Sequence, residues 1–252
     1  MISLIKYKKD YSFIPPDSDK QIGVILIHGF TSTSDAMLYT AEKLSESGFH
    51  VELPTLSGHA TEPDDLIDTK WEYWIEDVHK AWLKMRKRVD KIFLVGLSMG
   101  GTIALNLSTK LPFISGIVLI NHALYMNHLK YKFAPFLKNI IGYTKGIGSD
   151  ILDKNVQEIA YEKIPIVAIE QLLDLCRDTE DKIFLVKTPV LIFKSLKDNV
   201  MPVNVAETTF RKLRVAKKKM KSLHNSCHVA TQDFDKDLII EDMKRFFQEI
   251  EK

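Results

Sequence analysis

Short apolar runs alternate with longer amphipathic segments along most of the chain. The apolar runs have the length of β-strands and lie at 22–30, 49–54, 91–96, 115–122, 189–195 and 218–223. Segments with apolar residues at helical spacing lie between or after them, at 35–48, 71–85, about 100–110 and 236–249. Strands separated by helices predict an α/β fold, with a mainly parallel sheet that carries helices on both faces.

The alternation stops between residues 123 and 187. This stretch contains no clear strand pattern, and two of its pieces, 155–164 and 167–178, have helical character. The chain length of 252 residues suits one core with an insertion as well as it suits two domains. We predict one core made of 1–122 and 188–252, with a helical cap inserted at 123–187 over the carboxyl ends of the strands.

One serine stands between two glycines at the junction of a predicted strand and a predicted helix. In the sequence GLSMGG, Gly96 and Gly100 lie two positions on either side of Ser98. Glycines at such a junction allow a backbone shape that a side chain would forbid. The pattern is typical of a sharp turn that exposes a nucleophilic serine. An ordinary turn, with glycines for close helix packing, is the alternative.

A nucleophilic serine needs a base and an acid that orients the base. In the α/β-hydrolase arrangement the acid and then the base follow the serine, each on a loop after a strand. Asp198 follows the run 189–195, and His228 follows the run 218–223. We therefore predict Asp198 as the acid and His228 as the base. The competing candidates are Asp174, Asp178 and Asp181 for the acid and His224 for the base.

Backbone N–H groups are the expected donors to the oxyanion that forms during acyl transfer. The amide of Met99 begins the helix after Ser98, where unpaired N–H groups favour negative charge. The second donor is expected from the loop HGFTST after the first apolar run. There Gly29 allows a close approach, Phe30 presents its amide, and His28 is expected to brace the loop by hydrogen bonding.

Composition narrows the range of partners, cofactors and locations. A net charge of +2 indicates no nucleic-acid partner, and the apolar runs are too short to cross a membrane. The apolar start of the chain is too short for a secretory signal. Cys176 and Cys227 have no disulfide or zinc spacing, so we expect a cytoplasmic protein. We expect no cofactor and no metal, because the nucleotide and zinc motifs are missing from the sequence.

The densest basic run, 211–221, has two interpretations. It could make transient contact with an anionic lipid surface. It could also be the solvated face of a helix and an edge strand.

Several segments together resemble the bacterial monoacylglycerol lipases and, slightly less closely, their small carboxylesterase relatives. The segments are LIHGFTS, GLSMGG, INHAL, IGSD with EIAYEK, KDNVMP and NSCHVATQDFDKDLIIEDMKRFF. The resemblance covers nearly all of the chain from Ile22 onward. It implies the α/β-hydrolase fold and an ester hydrolase. It also implies Ser98 as nucleophile, Asp198 as acid and His228 as base, with the amides of Phe30 and Met99 in the oxyanion hole.

The same resemblance implies residues that contact the alcohol part of the substrate. In that family an isoleucine and a glutamate of the cap contact glycerol, and they match Ile147 and Glu158. The asparagine after the fourth strand matches Asn121, and Gly29 lines the same site. A glutamate on an amphipathic helix is also commonly a solvated residue, so this interpretation of Glu158 stays open.

We predict a serine ester hydrolase that cleaves monoacylglycerols or similar carboxylic esters. The alternatives are a general short-chain carboxylesterase, or a thioesterase or acyltransferase that uses the same acyl-enzyme. A protein that only binds a small apolar ligand is a further alternative, since a fold does not determine a function. Cys227 beside His228 is not expected to be a nucleophile, because adjacency in sequence does not activate a thiol.

Overall fold

A seven-stranded sheet forms the centre of the molecule. The computed structural model describes residues 9–15, 21–126, 142–146 and 149–251. The strands in these ranges are β1 (Tyr11–Phe13), β2 (Ile22–Ile27), β3 (His50–Leu53), β4 (Lys91–Leu97), β5 (Ile114–Ile120), β6 (Tyr143–Lys145), β7 (Lys163–Pro165), β8 (Val190–Ser195) and β9 (Lys218–Leu223). The order in the sheet is β1-β3-β2-β4-β5-β8-β9.

The predicted mainly parallel sheet is confirmed. Every neighbouring pair in the sheet is parallel except β1 and β3, which are antiparallel. The sequence pattern did not predict β1, because three residues are too few to show an alternation of apolar and polar positions. The carboxyl ends of the parallel strands lie at one edge of the sheet, which is where ligands bind in such folds.

Helices cover both faces of the sheet. In the described ranges the α-helices are α1 (Asp35–Glu46), α2 (Trp71–Met85), α3 (Met99–Ser108), α4 (Ile166–Lys182), α5 (Val205–Lys212) and α6 (Lys236–Glu251). None of them is long and apolar enough for a membrane crossing. Helix α1 ends next to Gly48, whose φ of 87° suits glycine at the position after a helix.

Two apolar cores lie on opposite faces of the sheet because successive strand residues point to opposite sides. Ile25 and Ile27 of β2 pack with α2, α3 and α4 in one core. Val24 and Leu26 of the same strand pack with α1 and α6 in the other. Both cores consist mainly of buried side chains, so the strands hold the loops at their carboxyl ends in fixed positions.

The structure corrects the helical prediction for 155–164. This stretch is irregular until it enters β7, which pairs with β6 in a two-stranded antiparallel hairpin. Its backbone groups bind outside the segment instead of forming helical bonds. The amide of Tyr161 donates to the carbonyl of Thr31 at 3.0 Å, and the amide of Gly146 donates to the carbonyl of Glu162 at 2.7 Å. Tertiary hydrogen bonds therefore override the local pattern.

The second predicted helical piece, 167–178, lies within α4 and is confirmed. Helix α4 packs against α2 and α3. The described chain between 142 and 165, which we call the insertion segment, carries the hairpin and contacts loops at the carboxyl edge of the sheet. The boundaries at 123 and 187 stay a prediction.

The lysines of β9 are engaged by neighbouring groups. Lys219 pairs with Glu249 and Lys221 pairs with Asp242, each at 2.5 Å. Lys218 donates to carbonyl oxygens at the end of α5. These contacts favour a solvated face, because ion-paired lysines have less charge to offer to a lipid surface.

Candidate active site

Ser98 lies in a sharp turn between β4 and α3. Its φ is 54° and its ψ is −119°, in a region that non-glycine residues rarely adopt. Two backbone hydrogen bonds hold the turn: the Ser98 amide donates to the carbonyl of Ile120 at 2.9 Å, and its carbonyl accepts from Ala123 at 3.1 Å. A serine held in a strained conformation by its surroundings is a feature of functional sites.

The glycines around Ser98 are required by close backbone contacts. A Cβ atom on Gly100 would lie 2.1 Å from the carbonyl oxygen of Ile27. A Cβ atom on Gly96 would lie 2.1 Å from the backbone carbon of Gly100. Neither neighbour is a flexible side-chain end, so the turn brings β2, β4 and α3 together only with glycine at both positions.

The loop after β2 passes directly beside Ser98. A Cβ atom on Gly29 would lie 3.3 Å from the Cβ of Ser98, which is the close approach predicted for this loop. Thr31, with a φ of 64°, turns the chain after Phe30. Within the described residues the amides of Phe30 and Met99 have no protein acceptor, so both are available to a bound ligand.

His28 braces this loop as predicted. The amide of Leu56 donates to His28 Nε2 at 3.1 Å, so Nδ1 carries the proton and donates to the carbonyl of Gly29 at 2.9 Å. Burial lowers the pKa of His28 to about 4, and burial together with the nearby His28 lowers the pKa of His59 to about 3. Both rings are therefore neutral near pH 7, and they support the loop as uncharged groups.

Asp198 and His228 meet at the carboxyl edge of the sheet. His228 Nδ1 lies 2.9 Å from Asp198 Oδ2, and both side chains are almost fully buried. The other oxygen of Asp198 accepts from the amides of Val200 and Met201 at 2.8 and 2.9 Å. Because the carboxylate only accepts, Nδ1 donates and Nε2 is left with a free lone pair.

The pKa of Asp198 reflects these contacts. Burial alone would raise it, but the hydrogen bond and charge of His228, with the amides of Met201 and Val200, hold the pKa below its ordinary value. The carboxylate is thus ionised wherever the site operates near neutral pH. An ionised carboxylate that accepts from the imidazole is the orienting partner that a serine–histidine pair requires.

The competing candidates lie elsewhere or are occupied. His224 is exposed at the end of β9. Asp174 pairs with Arg177 along α4, and Asp178 accepts from Asn106. Burial, followed by the nearby Asp150 and Asp233 carboxylates, raises the pKa of the Cys227 thiol and keeps it protonated. Asp181 also lies in α4. Within the described residues none of these alternatives forms a pair like that of Asp198 and His228.

Glu158 lies in the irregular part of the insertion segment and not on a solvated helix face. Its amide donates to the hydroxyl of Ser149 at 3.1 Å. The pKa of Glu158 is raised above its ordinary value, mainly by burial and in part by the nearby Asp150 carboxylate. The Ser32 hydroxyl and His228 act in the opposite direction and lower the pKa. The carboxyl group therefore interacts with the loop after β2, through Ser32, and with His228.

Two further predicted contacts have different outcomes. Ile147 lies outside the described residues. The side chain of Asn121, whose φ is 44°, is fully used inside the protein: its Nδ2 donates to Ser195 Oγ and to the carbonyls of Cys227 and His228, and its Oδ1 accepts from the Ser195 amide. This arrangement favours a bracing role for Asn121, since both of its amide hydrogens already have acceptors. The predicted contact with substrate stays a prediction.

Sequence reasoning assigned no role to two buried or half-buried aspartates that organise the site. Asp233 accepts from the amides of Leu152, Asp153 and Cys227. Asp150 accepts from the amide of His228 at 3.0 Å, although the two residues are 78 positions apart. No local signal marks such residues, because their partners lie on distant loops.

Comparison with known proteins decides the family. Residues 18–235 match the Hydrolase_4 family model, described as serine aminopeptidase, S33. The chain belongs to this family. The thermostable monoacylglycerol lipase of Bacillus sp. (strain H-257) is 38% identical over 226 residues, which are 90% of each protein. A carboxylesterase of Bacillus subtilis (strain 168) is 25% identical over 231 residues, 90% of this chain and 93% of that protein.

A solved structure confirms the fold of this α/β-hydrolase. A chain from the metagenome-derived lipolytic enzymes LipS and LipT superimposes with a TM-score of 0.91 and 32% identity. The match covers 96% of this chain and 98% of that chain. Together with the family match and the two Bacillus relatives, it makes this α/β-hydrolase a serine ester hydrolase.

Proposed function

We propose that this α/β-hydrolase cleaves monoacylglycerols through an acyl-enzyme on Ser98, with His228 as general base and Asp198 as its orienting acid. The observation that carries the proposal is the 2.9 Å contact between His228 Nδ1 and Asp198, on loops that follow β8 and β9. These loops lie at the same edge of the sheet as the strained turn that holds Ser98. A contact between residues on separate loops at that edge is the arrangement that the chemistry requires.

The reaction uses the free lone pair of His228 Nε2 and the backbone amides of Phe30 and Met99, which have no protein acceptor in the described residues. His228 Nε2 takes the proton of Ser98 while Oγ attacks the ester carbonyl carbon, and the amides of Phe30 and Met99 donate to the resulting oxyanion. The imidazolium then gives its proton to the leaving alcohol as the C–O bond breaks. Water attacks the acyl-enzyme by the same route, which releases the fatty acid and restores Ser98.

The substrate preference is proposed from Glu158. A carboxylate can accept hydrogen bonds from the two free hydroxyls of a monoacylglycerol, and Glu158 lies beside Ser32 and within electrostatic reach of His228. The name of the 38% identical Bacillus relative supports the same substrate class. Ile147 as a second glycerol contact, Gly29 as part of the site wall and a cytoplasmic location stay predictions.

The chemistry is tested with Ser98→Ala. Loss of the nucleophile should lower kcat on p-nitrophenyl esters on the order of a million-fold, while circular dichroism and the melting temperature stay those of the wild type. A folded variant that retained a few per cent of the activity would contradict the assignment. The substitution is conservative in volume, so a loss of folding is not expected to obscure the result.

The substrate class is tested with Glu158→Ala and two esters of one fatty acid. Loss of the carboxylate should lower kcat/KM for the monoacylglycerol by about ten- to a hundredfold, because hydroxyl groups of the bound substrate lose their partner. The methyl ester of the same acid lacks those hydroxyls and should be cleaved at nearly the wild-type rate. An equal loss on both esters would contradict a specific glycerol contact.

Glu162→Ala is the matched control for that experiment. Glu162 belongs to the same insertion segment, and its side chain is exposed. It contributes its backbone carbonyl to the hairpin, which the substitution leaves in place. Both esters should be cleaved by Glu162→Ala as by the wild type.

A further inference from the structure

One carboxylate outside the proposed catalytic residues joins the loops of the acid and the base. Asp150 Oδ2 accepts from the amide of Asn199 and from the amide of His228, each at 3.0 Å. Its Oδ1 accepts from Asn199 Nδ2 at 2.8 Å, and its backbone carbonyl accepts from Val229 at 3.1 Å. Two loops that follow different strands thus meet on a single residue of the insertion segment.

These bonds restrict the acid and the base in a way that their mutual contact does not. The bond between His228 and Asp198 sets one distance, but it leaves the backbones of the two loops free to shift together or to rotate. Asp150 holds the residue directly after Asp198 and the backbone of His228 itself. Hydrogen bonds to an ionised carboxylate are roughly twice as strong as bonds between neutral groups.

The insertion segment is held to the rest of the site at several points. The backbone amide of Tyr161 donates at 3.0 Å to the carbonyl of Thr31, in the loop that carries the Phe30 amide. The segment also places Glu158 beside Ser32. The segment that carries Asp150 is therefore attached to the same loop that is expected to bind the oxyanion.

We propose that Asp150 is a positioning residue for the reaction: it aligns Asp198 and His228 with Ser98 and makes that alignment depend on the seating of the insertion segment. The inference rests on the proposed function of the three catalytic residues. Asp150 touches neither substrate nor the reacting atoms, so its contribution is orientation. Misplacement by about 1 Å is enough to cost on the order of a hundredfold in rate.

Asp150→Ala tests the proposal in the full-length enzyme with a p-nitrophenyl ester. We expect kcat to fall by about ten- to a hundredfold with KM close to that of the wild type, because orientation and not binding is lost. Asp150→Asn should lose much less, because its carbonyl oxygen can still accept from the two backbone amides and its NH2 group then faces only Asn199 Nδ2. Unchanged kcat in a folded Asp150→Ala variant would overturn the proposal.

Asp153→Ala is the matched control. Asp153 lies three positions away in the same segment, and its carboxylate accepts only from the amide and side chain of Asn155, each at 3.0 Å. In the described structure its carboxylate has no bond to the loops of the acid and the base; its amide donates to Asp233 in the loop of the base at 3.1 Å, and the substitution leaves that bond in place. Its kcat should equal that of the wild type, and a loss as large as that of Asp150→Ala would overturn the specific role of Asp150.

A spectroscopic readout separates positioning from mere stabilisation. The proton shared by His228 Nδ1 and Asp198 should give a low-field 1H NMR signal, identified by its absence in Asp198→Asn. In Asp150→Ala this signal should shift or broaden at a temperature well below melting. A lower melting temperature with an unchanged signal and unchanged kcat would assign Asp150 to stability alone and overturn the proposal.

Asn199→Ala decides the outcome if Asp150→Ala does not fold. This substitution removes the side-chain bond to Asp150 at 2.8 Å and a local bond to the carbonyl of Lys197 at 3.1 Å, and it keeps both backbone amides on Asp150. A fall in kcat of about threefold or more supports the proposal, and unchanged kcat overturns it. If Ser98→Ala were active, the proposed function would fail first, so the two failures are distinguishable.

Discussion

The turn at Ser98 and the loops of Asp198 and His228 are built in different ways. The turn is short in sequence and is determined by steric contacts, with Gly96 and Gly100 packed against neighbouring backbone. The two loops are separated by 30 positions and are held by side-chain hydrogen bonds from Asp150 and Asn121. Ser98 is thus positioned by backbone contacts, whereas Asp198 and His228 are positioned by particular side chains far away in sequence. Substitutions should therefore act differently in the two regions.

The largest expected effect distinguishes the two histidines after β9. His228→Ala should lower kcat on the order of a million-fold, because a triad without its base loses nearly all of its advantage. His224→Ala should leave kcat unchanged, since His224 is exposed and has no bond to Asp198 in the described residues. Steady-state rates with a p-nitrophenyl ester measure both. An inactive His224 variant beside an active His228 variant would reverse the assignment.

The next effect tests whether steric contacts determine the turn. Gly100→Ala places a Cβ atom 2.1 Å from the carbonyl oxygen of Ile27, so the free energy of unfolding should fall by about 3 kcal/mol or more. Gly142→Ala is the control, because nothing lies within 4 Å of the added atom. Its stability should change by less than about 0.5 kcal/mol. Urea denaturation measures both, and equal stability of the two variants would remove the steric explanation.

The bracing role of Asn121 is tested in the loops of Asp198 and His228, the second of the two regions compared. Asn121→Ala leaves the buried amide of Ser195 and the carbonyl of His228 without this partner, so we expect a loss of about 2–4 kcal/mol in unfolding free energy. Activity at low temperature should fall by the same factor on a monoacylglycerol and on the methyl ester of the same acid. A loss confined to the monoacylglycerol would instead support a direct substrate contact of Asn121.

A pH dependence of stability is expected from the histidines behind the loop after β2. The pKa is about 4 for His28 and about 3 for His59, below the ordinary 6.5, so the unfolded chain binds more protons than the folded one between those values. The free energy of unfolding should therefore show no loss from these histidines well above pH 6.5, and it should fall as the pH decreases from 6.5 towards 4. At pH 5 the loss should be about 2 kcal/mol for each histidine.

His59→Phe checks this pH dependence. Between pH 6.5 and pH 4.5, unfolding should take up about one proton fewer in the variant than in the wild type. Urea denaturation at several pH values gives that number from the slope, with the exposed His224→Gln variant as the control. An identical slope in His59→Phe and the wild type would show that His59 is not buried as a neutral ring.

The parts of the molecule that the sequence predicted are those that local patterns determine. The strand Ile22–Ile27 is a continuous apolar run and the helix Trp71–Met85 has a clear apolar period, and tertiary packing reinforces both patterns. The expected chain order of serine, acid and base predicted Ser98, Asp198 and His228. The structure brings these residues to one edge of the sheet. The geometry of that edge followed from the rule that parallel strands share their carboxyl ends.

The parts that the sequence did not predict depend on distant partners. The helical pattern of 155–164 is a weak local preference, and bonds to Thr31 and Ser149 override it. Asp150 has no local signature, because its side chain serves residues 49 and 78 positions away. The missed hairpin has strands of three residues, too short to show a period.

The contacts of Asp150 limit how the insertion segment could be exchanged between enzymes. In the proposed function the insertion segment contacts the alcohol part of the substrate, so a transplanted segment is expected to alter the range of accepted esters while the sheet and the turn at Ser98 are retained. Such a graft would also have to bring a carboxylate to the loops of Asp198 and His228. Enzyme engineers who screen chimeras at 142–165 should therefore keep position 150 constant and diversify its exposed neighbours.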